Sequence, residues 1–181
     1  YIAMGFAIGN FYGLVGAILH IVSHAFMKSG LFYTSGALKF RYGIHETSQL
    51  GQIYKDMPVT SLTMCVCALS MIGLPPFAGF FSKWYLALGA VQNGQYVFVA
   101  VLIASSLLSA IYFFRVMEKM FMDKKTAKEK ENLHRLRRSE LPWQIIVPMI
   151  VTICAVIFLG LFNSYIVEDI LGPAIKEVVL S

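Results

Sequence analysis

The sequence predicts an all-α membrane protein, a polytopic bundle of about five to six transmembrane helices that includes one discontinuous helix. First, 57% of the 181 residues are hydrophobic and only 14% are charged, whereas soluble proteins carry about a quarter charged residues. Second, four windows without Asp, Glu, Lys or Arg are each long enough for the roughly 20 residues of a helical crossing. Third, Pro75-Pro76 interrupts the apolar sequence, and such a pair ends or breaks a helix. The charge-free windows are residues 1–27, 58–82, 84–114 and 141–167.

The first part of the chain predicts the end of one span and one long helix. Residues 1–8 are expected to complete a span, with a break at Gly9-Asn10. A helix from about Phe11 to Phe40 follows, because the run is apolar and rich in small residues that let membrane helices approach closely. The polar residues 41–57 predict a loop.

The rest of the chain predicts four further crossings. A span from Pro58 to Gly73 is expected to stop at the sequence "GLPP", and a short one from Phe77 to about Gln92 to stop at "QNGQ". Two longer spans follow, from Tyr96 to about Met117 and from Pro142 to about Phe162. If each span crosses once, "GLPP" and the stretch between the last two spans share one face. Residues 41–57, "QNGQ" and the C-terminal tail then share the other.

Positive charge is concentrated between the last two spans, where nine of the fifteen Lys and Arg lie from Arg115 to Arg138. We therefore divide the chain into a transmembrane bundle at residues 1–117, a charged connection at 118–140, and a final helix with a tail at 141–181. The positive-inside rule accounts for this charge without nucleic acid. It predicts that the connection faces the cytoplasm, and we expect the protein to lie in the inner membrane of the cell. The chain begins inside an apolar run without Met, so we expect the C-terminal part of a longer protein or a piece of a split one.

Three titratable residues follow one another at intervals of four in the first long helix. His20, His24 and Lys28 therefore share one slowly turning helix face, and Lys28 lies about midway along the helix. A charge at that depth costs at least ~2.5–3.5 kcal/mol, and such residues usually have a role. Imidazole titrates near neutrality, so a row of such groups with intervening water predicts a proton relay.

The alternative roles of this row are less well supported by the sequence. Snorkelling suits lysines near helix ends, and the histidines could simply hydrogen bond to a neighbouring helix. A zinc site would need more ligands, and this stretch lacks the Glu of an H-E-x-x-H motif. Cys65, Cys67 and Cys154 lie in apolar runs without metal or redox spacing, so we assign them no chemistry and expect no metal or cofactor.

A second site is predicted at the proline break. Lys83 is the only charged residue between residues 57 and 114, and it follows Pro75, Pro76 and Gly79. Broken membrane helices expose backbone groups at mid-membrane depth, where ion sites are built. Ser82 and Tyr85 are candidate partners for Lys83, and anchoring of a short helix end is the alternative role for this lysine.

The two stretches "HIVSHAFMKSGLFYTSGAL" and "GLPPFAGFFSKWYLALGA" resemble the antiporter-like proton-translocating membrane subunits. That family includes the L, M and N subunits of NADH–quinone oxidoreductase, the A and D subunits of Mrp-type sodium/proton antiporters, and related subunits of membrane-bound hydrogenases. The resemblance covers roughly residues 10–120 and implies fourteen spans with two inverted repeats. It implies that this chain is the second half of that fold. It also implies that Lys28 is a central relay residue, flanked by His20 and His24, and that Lys83 is a distal residue on the broken helix.

Three functions remain open from the sequence. The first is a proton-conducting subunit of a Mrp-type sodium/proton antiporter, without redox chemistry of its own. Its partners would be other membrane subunits, the N-terminal half of the fold, lipid, protons and Na⁺. The second is the corresponding subunit of a redox-driven complex, with the electron chemistry on partner subunits. The third is a structural membrane spacer with inert lysines.

Overall fold

The apolar segments form six main helices in the computed structural model, which describes residues 1–51, 53–122 and 141–175. Two 3₁₀ turns at Thr47–Gln49 and Ile53–Lys55 follow α2, and helical turns at Asn163–Tyr165 and Ile166–Leu171 follow α6. Within these residues the chain is helical without strands, which confirms the predicted fold class. The helices are α1 (Ile2–Ile8), α2 (Phe11–Tyr42), α3 (Pro58–Ile72), α4 (Ala78–Gln92), α5 (Tyr96–Phe121) and α6 (Trp143–Leu161).

The described helices include three that are long and apolar enough to cross a membrane, namely α2, α5 and α6. Only 6% of the apolar window of α5 is buried, so most of its surface faces either lipid or protein beyond the described residues. Its exposed side chains, such as Val101, Leu108 and Tyr112, are those expected in contact with hydrocarbon.

The predicted break between the first two helices is confirmed. Gly9 adopts the left-handed conformation that ends α1, with φ of 72°. Asn10 then caps α2, because its side-chain oxygen accepts a hydrogen bond of 2.8 Å from the Gly13 N–H. The same side chain donates to the Gly89 carbonyl at 2.8 Å, so this corner is tied to the end of α4.

Helices α3 and α4 are consecutive halves of one broken span that runs antiparallel to α2. Gly16 of α2 lies against Leu86, His20 against Ser82, and Gly30 against Cys67. As residue numbers increase along α2, the numbers of the residues in contact with it decrease, from α4 into α3. Each half has 15 residues and rises about 22 Å, which is less than the roughly 30 Å of a bilayer core.

This arrangement corrects the predicted sidedness of the loops. One apolar cluster joins the end of α2, the segment after it, the end of α5 and the start of α6. Its members include Leu38, Leu50, Ile53, Val116, Met120, Leu141 and Met149. Residues 41–57 therefore lie at the same end of the bundle as the residues that flank the charged connection. The opposite expectation was wrong because it counted α3 and α4 as two crossings and placed their corner at a membrane face.

Most of the charged connection lies outside the described residues, and so do Gln52 and the last part of the tail. The predicted division of the chain at 118–140 therefore stays a prediction. The other end of the bundle carries Asn10, Asn93 and the first part of the tail, where Val167 and Ile175 pack against Val15 of α2.

The break between α3 and α4 is closely packed on two sides. A Cβ added at Gly79 would overlap the Ser70 carbonyl, and one added at Gly160 of α6 would overlap the Pro76 carbonyl. Glycine is therefore the only residue that lets these backbones approach as they do. The Gly79 N–H also donates to the Ser70 hydroxyl at 3.1 Å, so the start of α4 is bound directly to the end of α3.

Candidate functional site

The row of titratable residues on α2 is present as the spacing predicted. The ring centroids of His20 and His24 are 5.6 Å apart, and Lys28 follows one turn later. Burial decreases along the row: His20 is only 4% exposed, His24 is half-buried, and Lys28 is exposed within the described residues. The row therefore leads from the interior of the bundle to its open side.

His20 is fixed by the broken span. Its Nδ1 atom lies 2.9 Å from the Ser82 hydroxyl oxygen, and that hydroxyl donates to the Gly79 carbonyl at 3.1 Å. A serine hydroxyl has a single proton to donate. Two arrangements fit these distances: His20 Nδ1–H donates to the Ser82 oxygen while Ser82 donates to Gly79, or the Ser82 hydroxyl donates to an unprotonated Nδ1.

Lys83 occupies the break between the two half-helices. Its Nζ donates to the carbonyls of Met71 and Ile72 and to the hydroxyl of Ser106, each at 2.9 Å. The last carbonyls of a helix have no partner within it, and a cation there is favoured by the helix dipole. The ammonium group thus uses all three of its protons and caps α3 from the following half-helix.

The observed partners of Lys83 differ from the two candidates that the sequence suggested, Ser82 and Tyr85. Ser82 bonds to His20 instead, and Tyr85 stacks on Tyr12 with ring centroids 6.3 Å apart. Two of the actual partners are backbone carbonyls, which carry no residue-type signal. The third is Ser106, whose hydroxyl lies within the apolar run of α5; the adjacent pair Ser105-Ser106 is the signal that could have indicated it.

Tyr1 is a further contact that the sequence did not reveal. Its ring centroid is 4.9 Å from that of His20 and 5.1 Å from Lys83 Nζ, so the aromatic ring lies beside both groups. A cation near an aromatic face is attracted by the ring quadrupole. The Tyr1 hydroxyl is hydrogen bonded to Ser105 at 2.5 Å, which fixes the ring in place.

Lys28 lines a separate cleft of about 320 Å³ between α2 and α5. The cleft extends to His45 and Glu46 in the segment after α2, and Phe32 and Tyr112 contribute aromatic walls. The cleft therefore connects Lys28, about midway along α2, with polar residues at the end of the bundle next to the charged connection. The cleft is lined partly by polar residues, and a space of this size can hold several water molecules next to them.

The structure thus brings His20, Ser82 and Lys83 together and places Lys28 apart from them. Lys28 is eight residues beyond His20, about 12 Å along the axis of α2, with His24 between them. Of the break residues, Gly79 and Ser82 are buried in the contact, whereas Pro75 and Pro76 are exposed in the turn. The described residues contain no group of three or more His, Cys, Asp or Glu that could hold a metal ion.

Comparison with known proteins is consistent with this geometry. Residues 1–109 match the family described as NADH:quinone oxidoreductase/Mrp antiporter, TM. NADH-quinone oxidoreductase subunit N of Desulforudis audaxviator is 44% identical to this chain. The match includes 97% of this chain and 36% of that subunit. The D subunit of the Na⁺/H⁺ antiporter of Alkalihalophilus pseudofirmus is 29% identical, again over 97% of this chain and 36% of the relative.

A solved structure shares the fold. A chain in the Mrp complex from Dietzia sp. DQ12-45-1b superposes with a TM-score of 0.81 at 23% identity, over 93% of this chain and 38% of that chain. The chain therefore spans about a third of the length of the proteins that it matches.

Proposed function

This chain belongs to the NADH:quinone oxidoreductase/Mrp antiporter membrane family, and on that premise we propose that it conducts protons along Lys28, His24, His20 and Lys83. The observation that carries the proposal is the position of Lys83. Its ammonium group lies inside a broken membrane span, bonded to two free helix carbonyls and one hydroxyl. Its chain neighbour Ser82 bonds to His20, the first residue of the titratable row.

The mechanism that we propose is electrostatic. A charge that arrives from the neighbouring half of the fold lowers the proton affinity of Lys28. The released proton then moves along the histidines. In this proposal the Nδ1–H of His20 donates to Ser82, and Nε2 accepts the incoming proton. Because like charges repel strongly in a low dielectric, protonation of one lysine disfavours protonation of the other. The row therefore passes one charge at a time, and water fills the distance between His24 and Lys28.

Two assemblies could use this path. The Mrp-type antiporter is the first, in which Na⁺ would be the exchanged ion. The redox-driven complex is the second, and it is favoured by the 44% identity to a subunit N, compared with 29% to the D subunit of an antiporter. Purification of the complex separates them: peripheral iron–sulfur and flavin proteins indicate redox drive, whereas small membrane subunits alone indicate an antiporter.

The chain is a membrane-spanning subunit, and we propose that the end with residues 41–57 faces the cytoplasm. Lys39, Arg41 and Lys55 lie at that end, together with Lys119 at the end of α5. Glu168 and Asp169 lie in the helical turn at the other end. Positive residues remain on the cytoplasmic side of a membrane protein, so the charged connection would be cytoplasmic as well.

The test is proton transport by the assembled complex in sealed vesicles. Lys28→Ala and Lys83→Ala should each reduce transport at least tenfold, on the order of the loss of an essential proton-transfer group. Lys55→Ala is the matched control, because Lys55 is an exposed lysine in the segment after α2 and should leave transport unchanged. Near-normal transport in both path variants would instead support the structural-spacer hypothesis.

A further inference from the structure

We propose that the Ser106 hydroxyl on α5 accepts the proton that Lys83 releases, so that the path leaves the broken span through α5. This inference rests on the proposed function, because it concerns the last described step of the same path. It assigns to Ser106 a role in proton transfer that differs from simply holding the lysine in place.

Lys83 Nζ has three hydrogen-bond partners in the described residues. The carbonyls of Met71 and Ile72 accept hydrogen bonds, but a backbone carbonyl has no proton of its own to pass on. Ser106 is different, since a hydroxyl accepts one proton while it donates another. Among the three partners, Ser106 is therefore the group that can relay a proton.

The other groups near Lys83 are less suitable as acceptors. Tyr1 presents its ring rather than its oxygen to Nζ, and the Tyr1 hydroxyl is bonded to Ser105. His20 precedes Lys83 in the proposed path, so a proton that returned to it would not advance, and its Nδ1 atom is bonded to Ser82. Among the hydrogen bonds of the described residues, the one from Lys83 to Ser106 therefore connects the break directly with α5.

The proton step conserves atoms and charge. Lys83 transfers a proton from Nζ to the Ser106 oxygen while Ser106 transfers its own hydroxyl proton to a water molecule. The lysine becomes a neutral amine, the water becomes hydronium, and the serine is again a neutral hydroxyl. Ser106 itself is half-buried, so part of its surface is not covered by the described residues and can meet a water molecule.

Three substitutions at Ser106 in the assembled complex test the step. Ser106→Thr keeps the hydroxyl, and Ser106→Val has nearly the same shape as Thr without a hydroxyl. Ser106→Asn offers Lys83 a carbonyl acceptor but no hydroxyl to relay a proton. We expect Thr to retain transport within about twofold, and Val and Asn each to lose at least about tenfold.

The control is Ser109→Val, one turn further along α5. The Ser109 hydroxyl donates only to the Ser105 carbonyl, at 2.9 Å, so its loss should leave transport near normal. Retained transport in Ser106→Val would overturn the inference, and so would retained transport in Ser106→Asn, because the serine would then only anchor Lys83. Lys83→Ala separates this failure from failure of the proposed function: if it abolishes transport while Ser106→Val does not, only the step through Ser106 is wrong.

Discussion

Replacement of Gly79 by alanine tests how closely the two half-helices must approach. The added Cβ would overlap the Ser70 carbonyl, and it would lie 3.1 Å from the Ser70 hydroxyl oxygen. The overlapping atom is backbone rather than the end of a flexible side chain, so α3 and α4 must move apart. Overpacking of this kind costs about 1–3 kcal/mol.

A second cost comes from the hydrogen bond at the same position. Separation of the helices removes the bond of 3.1 Å from the Gly79 N–H to the Ser70 hydroxyl, worth about 1 kcal/mol. Alanine recovers about 0.5–1 kcal/mol through its better helix propensity. We therefore expect Gly79→Ala to destabilise the complex by roughly 1–3 kcal/mol.

Transport should fall as well, because Gly79 precedes the functional residues by one turn. Ser82 and Lys83 move with the start of α4, and the hydrogen bonds of 2.9 Å from Lys83 to the α3 carbonyls tolerate only a few tenths of an ångström. The assay is thermal unfolding of the purified complex together with proton flux per assembled complex.

Gly36→Ala is the control for this experiment. Gly36 is also a helical glycine, but an added Cβ there meets no atom within 4 Å in the described residues. The Gly36→Ala complex should match the unmodified complex in melting temperature and in proton flux. If Gly79→Ala behaves like Gly36→Ala in both measurements, the close approach does not determine the position of Lys83.

Two further predictions concern the corner at Asn10 and the course of the broken span. Asn10→Ala should lower the free energy of unfolding by about 1–3 kcal/mol, since it removes both the cap of α2 and the bond to Gly89. Asn10→Ser keeps the cap and should lose about half as much in the same thermal assay; equal losses would show that the cap contributes nothing. Cysteines introduced as Ser48→Cys and Gln92→Cys should react with a membrane-impermeant maleimide from opposite sides, because α3 and α4 together cross once. Labelling from the same side would restore the two-crossing topology.

The sequence was sufficient to predict the helices and their breaks. Gly9-Asn10 and Pro75-Pro76 stand out because a left-handed glycine, a capping side chain and prolines act on the local backbone. The direction of the chain after a break is different, because it depends on contacts with distant residues. The short length of each half, 15 residues, was the available sign that neither crosses alone.

The candidate site was predictable to the same extent. Lys28, Lys83 and the histidines are conspicuous because charge is rare in apolar sequence. The partners of Lys83 were not, since two are carbonyls of a helix end whose position depends on how α4 re-enters the bundle. Ser82 was predicted as a candidate partner of Lys83, but it bonds instead to His20, which is 62 residues away in the sequence. Only the antiparallel packing of α2 against α4 brings these two residues together.

The extent of α2 has a mechanical consequence. Its 32 residues contact both half-helices, with Gly16 against Leu86 on one side of the break and Gly30 against Cys67 on the other. The two halves share no unbroken ladder of backbone bonds, so α2 adds a continuous support to the direct contacts across the break. A small axial shift of α2 would change the Ser82 contact of His20 and the fit at Cys67 in the same motion. A movement of α2 would therefore act on both half-helices at once.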